Sequence, residues 1–186
     1  MEYLLNANQL GGFVLLQKET AAQNFRIKKL VSWMAVIAWC GLIFAFSAQT
    51  GDESSAVSGG LCSWISKGIA QLLGQEPAGA FPRGLEVVIR KLAHGGVYFV
   101  LGLLAANLLR LYRTRPSRAQ WLVSLLAGLL YAVSDEVHQL FVSGRAGRVT
   151  DVLIDFIGYA AGFAILLWMR RVLARRADRR QGLIDC

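Results

Sequence analysis

Apolar residues along this chain come in runs near 20 rather than in alternating or amphipathic patterns. Four runs stand out: Leu30 to Ala48, Val87 to Leu109, Trp121 to Phe141, and Val152 to Met169. A helix that crosses a hydrocarbon core of roughly 30 Å needs about 20 apolar residues, so each run predicts a membrane span. The connections flanking the third run are short, which predicts that spans two, three and four are neighbours in a compact antiparallel bundle. The first connection, Gln49 to Glu86, is long. Within it Leu61, Trp64, Ile65, Ile69, Leu72 and Leu73 recur at helical spacing between polar positions, which predicts a helix lying in the outer interface or packed on the bundle top. Pro77 and Pro82 mark a break before span two.

The fold expected is therefore all-α: an integral membrane four-helix bundle with an interfacial helix in its long first external loop. Residues 1–29 form an N-terminal segment, residues 30–169 the four-span membrane domain (spans 30–48, 87–109, 121–141 and 152–169), and residues 170–186 a basic tail. No internal repeat or second domain is visible. The patch "GGFVLLQ" is short and has no small-residue cleavage site after a basic start, so the first run is expected to stay as an anchor.

Charge sets the orientation. The formal net charge is +8, which in a soluble protein suggests nucleic acid, but 14 of the 20 Lys and Arg lie in alternate segments: before span one, between spans two and three, and after span four. That distribution predicts that these segments and both termini are cytoplasmic. The tail then grips anionic lipid heads, and no nucleic-acid partner is expected. Cys40, Cys62 and Cys186 fall in a span, the outer loop and the tail, a placement that suggests neither a disulfide nor a thiolate metal site.

The spans also serve as rulers. At about 1.5 Å per residue, His94 lies roughly 24 Å up span two, Asp135 about 21 Å up span three, and Asp155 about 22 Å up span four. Arg90, His94 and Tyr98 share a face, with Lys91 on its flank. Tyr131, Asp135, His138 and Gln139 share another, with Glu136 turned roughly 100° from Asp135. Asp151, Asp155, Gly158 and Gly162 form a stripe whose Gly-x-x-x-Gly allows close helix approach. Polar stripes at one height cannot face lipid, so they are expected to converge into a cup open to the extracytoplasmic side. The loop "VSGRAGRVT", with Arg145 and Arg148, closes it from above, and Ser47 and Gln49 reach the same layer.

The segments "RKLAHGGVYFVLG", "SDEVHQLFVSGRAGRVTD" and "DVLIDFIGYAAG", with the "FSAQ" end of span one, resemble the signature segments of VanZ-like membrane proteins. The resemblance spans roughly Leu30 to Met169, and the family pattern falls on Lys91, His94, Tyr98, Asp135, Glu136, Gln139, Arg145 and Asp151. At Asp155 the chain departs from the Asn implied by the family, which adds a negative charge to the cup. The resemblance implies a link to resistance against teicoplanin-type lipoglycopeptides, whose target is a cell-wall precursor on the outer face. It supplies no reaction.

Three classes of function follow. A non-catalytic binder would use Lys91, Arg145 and Arg148 for a phosphate or carboxylate on a lipid-linked precursor, a lipoglycopeptide or a membrane lipid, with Tyr98, Asp135, Glu136, Gln139, Asp151 and Asp155 completing the site. A membrane enzyme acting on a lipid or polyprenyl head group would take its acid or base from His94, His138, Asp135 or Glu136; no Ser or Cys nucleophile motif accompanies them. A structural ion-pair network would set Asp135, Glu136, Asp151 and Asp155 against Arg90, Lys91, Arg145 and Arg148, an expensive way to hold helices together. Four short unbroken spans make a poor transporter unless they oligomerise. Two histidines beside repelling cations make a weak ligand pattern, so neither metal nor cofactor is expected.

Overall fold

The computed structural model of the chain describes residues 2–73, 83–112 and 116–182. It contains α1 (Glu2–Ser47), α2 (Gly51–Leu73), α3 (Arg83–Tyr112), α4 (Arg118–Gln139) and α5 (Val149–Gly182), with no strand among the described residues. The break at Pro77 and Pro82, Arg113, Arg115 and Cys186 lie outside the described residues, as do the side chains of Leu61, Ile65, Ile69 and Leu73. The helices outrun the apolar runs that announced them. α1 begins far upstream of span one, and α5 continues through the basic tail.

Among the described residues, three helices are long and apolar enough to cross a membrane, over Leu15–Ser47, Val87–Tyr112 and Val149–Arg176. The sequence reading counted four. α4 is not among them: its last turns carry Asp135, Glu136, His138 and Gln139, and Ser117 at its start is followed by Arg118 and Gln120, which dilutes the apolar stretch. The outward faces of α1, α4 and α5 are nonetheless apolar, with Ile37, Leu122, Leu130 and Ile157 all exposed.

Helix starts are fixed by side-chain caps. At α4, the Ser117 hydroxyl accepts from the Gln120 amide, and the Gln120 side chain accepts from the Ser117 amide. Thr50 and Glu53 repeat this reciprocal arrangement at α2. Each box satisfies two of the amides that a helix start leaves without partners.

The connection lengths predict spans two, three and four as neighbours in an antiparallel bundle; consecutive α4 and α5 do pack this way, whereas consecutive α3 and α4 share little surface. α3 packs most extensively on α5, and the two run parallel: Lys91 meets Asp151, Gly95 meets Gly158, and Phe99 meets Gly162. A Cβ at Gly158 would strike the Gly95 carbonyl, and one at Gly162 the Phe99 carbonyl. Only glycine lets these backbones touch. α4 packs antiparallel on α5, with Trp121 edge-on to Phe163 at 5.9 Å and Ser124 beside Tyr159.

α1 bridges the remaining two. The Trp39 indole donates to the Val97 carbonyl of α3 (2.8 Å), and the Tyr131 hydroxyl of α4 donates to the Cys40 carbonyl (2.7 Å). Consecutive α3 and α4 meet mainly where the Tyr98 and Tyr131 rings stand 6.0 Å apart. Toward their far ends an apolar groove of about 560 Å³ separates them. Tyr98, Leu101, Ala132, Tyr159 and Ile43 form the core directly beneath the polar residues.

Candidate functional site

The site lies where four pieces of chain meet at one level: the C-terminal turn of α1, the first turns of α2, the N-terminal half of α3, and the α4–α5 connection. The Gly51 amide donates to the Ser143 carbonyl (3.1 Å), so α2 starts on that connection. Gly144 follows in the left-handed region at φ 73°, a conformation that favours glycine.

A cavity of about 300 Å³ opens here. Lys91, His94, Glu136, Gln139, Arg145, Arg148, Asp151 and Asp155 all line it, together with Arg90 and with Asp52 and Ser55 of α2. The other candidates lie elsewhere. Tyr98 is wholly buried beneath. Asp135 lines a second cavity of about 260 Å³, whose walls include Ile43, Phe46, Val57, Ile89 and Val97. His138 turns toward Phe44, ring centroids 4.4 Å apart, and lines neither cavity.

Two of these placements depart from the helical-wheel reading, which put His138 on the polar face and turned Glu136 off it. The buried stripe of α4 is Gly128, Ala132, Asp135, Glu136 and Gln139. Its axis therefore bisects Asp135 and Glu136 and leaves His138 on the flank facing α1. The α2 residues carried one signal in the sequence, the Thr50 to Glu53 capping pattern right after span one.

The polar groups are committed unequally. Arg145 is a clamp: its guanidinium donates to Gln139 Oε1 (3.0 Å), to the Gln49 carbonyl (3.1 Å) and to the Phe46 carbonyl (3.4 Å). It thus satisfies carbonyls that the end of α1 leaves open. Burial and the neighbouring Arg90 push its pKa down from the ordinary value, while Asp135 and Glu136 pull it back up.

Glu136 Oε1 accepts the Arg148 amide at the N-terminus of α5, where the helix dipole favours an anion. Lys91 pairs with Asp151 (2.5 Å), both side chains about a third exposed. This is the ion pair found among the described residues, so the layer is no self-neutralising network of four pairs. Arg90, the Arg148 guanidinium and His94 make no hydrogen bond or ion pair among the described residues.

Two carboxylates are left over. Ser47, Tyr98 and Gln139 surround the Asp135 carboxylate, yet its Oδ1 and both hydroxyls lack a partner in hydrogen-bond geometry. Asp155, 1% exposed, likewise has an unpartnered Oδ1. No group of three or more His, Cys, Asp or Glu among the described residues is arranged to hold a metal.

Arg90, His94 and Arg145 line both cavities. The two therefore share a cationic junction, with an apolar arm on one side and a polar chamber on the other. Such an arrangement can hold an anionic group at the junction while chemically different parts of one molecule extend either way.

A family model described as VanZ/LLP1 matches residues 32–170. No curated protein and no solved structure matches the chain.

Proposed function

The chain belongs to the VanZ/LLP1 family, and from that premise we propose a multi-pass cell-membrane protein whose two-chambered site binds the anionic head of a lipid-borne or cell-wall-related ligand. In this reading α1, α3, α4 and α5 form a four-helix bundle with both termini in the cytoplasm, and the site opens on the extracytoplasmic side. The concentration of Lys and Arg in the N-terminal segment, the α3–α4 connection and the tail supports that orientation. So do Lys29 over the Tyr112 ring (4.3 Å) and Arg171 over the Trp121 ring (4.9 Å), an aromatic and cationic belt at the end remote from the cavities. The exposed Trp64 and Leu72 of α2 suit a helix in the outer interface.

The observation that carries the proposal is the cationic junction. Among the described residues Arg90 sits between an apolar arm and a polar chamber without an ion-pair partner, and the Arg148 guanidinium lines the chamber likewise unpaired. Fixed, unpaired guanidinium groups at head-group depth are what phosphate recognition requires. The apolar arm makes a lipid-borne ligand the better fit. A role in teicoplanin-type resistance follows where that ligand is a lipid-linked cell-wall precursor or the lipoglycopeptide itself. His94, free of hydrogen bonds and facing both cavities, favours one second reading: a membrane enzyme acting on a lipid or polyprenyl head group with His94 as acid or base.

Binding of phosphatidic acid, against uncharged diacylglycerol with the same acyl chains, tests the main reading on the purified chain. The native protein is expected to prefer phosphatidic acid. The double variant Arg90→Ala, Arg148→Ala should lose at least about tenfold in affinity with folded yield maintained. Equal binding of both lipids, or unchanged affinity in the double variant, overturns it.

A further inference from the structure

We propose that the ligand's head carries a protonated amine beyond its phosphate and that Asp155 receives it, so that the site takes an aminoalkyl phosphodiester lipid of the ethanolamine-phosphate class. This rests on the reading above that a lipid-borne anionic group occupies the junction, and it adds what lies on the far side of that group.

The order of chemistry along the two cavities carries the inference. The second cavity is walled largely by Ile43, Phe46, Val57, Ile89 and Val97, a surface that suits hydrocarbon, with Asp135 as its acidic lining residue. Arg90, His94 and Arg145 stand where the arm meets the chamber and suit a phosphate. Beyond them the chamber presents four acidic side chains: Asp52, Glu136, Asp151 and Asp155. Tail, phosphodiester and terminal ammonium occur in that same order along such a lipid.

The four are not equivalent: Asp52, at the start of α2, is exposed to solvent. Asp151 has Lys91, and Glu136 has the Arg148 amide. Asp155 lines the chamber one helical turn, about 6 Å, deeper than Asp151 and makes no hydrogen bond or ion pair among the described residues. It is 1% exposed, with its Oδ1 unpartnered.

A buried acceptor without a donor carries the full loss of its hydration. An ammonium arriving through the chamber brings up to three charged donors to that point. A head group ending in a hydroxyl brings one neutral donor, and a bare phosphate brings none. The chamber, at about 300 Å³, has room for one such head. Arg148, unpaired on the same wall, keeps the chamber from becoming acidic enough to draw a second cation.

The test compares phosphatidylethanolamine and phosphatidylglycerol with identical acyl chains, each titrated against the detergent-purified full chain by native mass spectrometry. Soluble phosphoethanolamine serves as a third probe. Phosphatidylethanolamine is expected to bind about tenfold tighter or more, because a charged hydrogen bond to a buried acceptor is worth at least that factor. In Asp155→Asn the ratio should fall to about one through a loss confined to phosphatidylethanolamine. Soluble phosphoethanolamine should bind far more weakly than the lipid.

A wild-type preference for phosphatidylglycerol, or equal binding of the two, overturns the amine assignment and leaves the anion reading standing. A preference that survives Asp155→Asn also overturns it. Binding of neither lipid overturns both readings, and soluble phosphoethanolamine binding as tightly as the lipid overturns the lipid source. The wild-type comparison needs no variant to fold.

Discussion

Below Gly95 the α3–α5 pair is closed by backbone contact, and most of the polar side chains around it have partners. The Trp39 indole, the Tyr131 hydroxyl and the Tyr159 hydroxyl all reach backbone carbonyls. Above Gly95 the same two helices line a cavity. There Asp155 and Asp135 keep unpartnered oxygens, and the Arg90 and Arg148 guanidinium groups form no ion pair among the described residues. One helix pair is thus assembled on two rules within a few turns. The lower part satisfies most of its buried groups locally, the Tyr98 hydroxyl and Arg110 Nε excepted, as buried groups ordinarily are. The upper part leaves donors and acceptors open at high local cost, the pattern expected where a ligand completes the set.

The sharpest way to break this contrast is at its boundary. Gly158→Leu drives a side chain into the Gly95 backbone, and neither backbone can yield without separating the helices. The expected loss is about 3 kcal/mol or more, read as a fall in folded yield and in thermal midpoint after purification. A variant as stable as the parent would mean that α3 and α5 are not held by this contact.

That boundary was half legible in the sequence. Gly158 and Gly162 announce a close approach, and measuring depth along each run placed His94, Asp155 and Asp135 in one layer. The partner of the glycine stripe was not announced, because short connections point to sequential neighbours, whereas α3 pairs in parallel with α5 through Gly95 and Gly102 on the opposing face. The split between Glu136 and His138 was misread for a related reason. A helical wheel gives relative angles, but its zero is set by neighbours, here by Phe44 of α1 on one side and the start of α5 on the other. The docking of α2 depends on Gly51 against Ser143 and Gly144, a contact between backbones that no side-chain pattern encodes.

Within the upper half, different outcomes are expected for Arg145 and Asp155, which line the same cavity. Arg145→Ala removes three donors from Gln139, Gln49 and Phe46 and should cost about 2 kcal/mol. Asp155→Asn replaces a buried carboxyl whose Oδ1 has no partner, so it should leave stability unchanged or raise it by about 1 kcal/mol. Thermal unfolding of the two variants without added lipid checks both. If Asp155→Asn destabilised the protein as much as Arg145→Ala, Asp155 would belong with the structural clamp, and the upper half would follow the rule of the lower.

The smallest effect expected is at the edge of the site, in the cap that starts α2. The Thr50 amide and hydroxyl hold the Glu53 carboxyl below the usual carboxylate range, so the folded state favours its ionised form. Its contribution is then complete above the usual range and is lost as pH falls through that range and past the lowered folded value. Because Glu53 is exposed, only the first turn of α2 should respond. Hydrogen exchange at the amides of Thr50 and Glu53 should become less protected on acidification, relative to other amides of the same protein, and Glu53→Gln should remove that dependence while keeping the reciprocal bond. Loss of protection spreading along α2 and into the Gly51–Ser143 contact would instead mean that the cap holds the lid of the cavity in place. The boundary between the satisfied and the open half would then lie higher than the glycines put it.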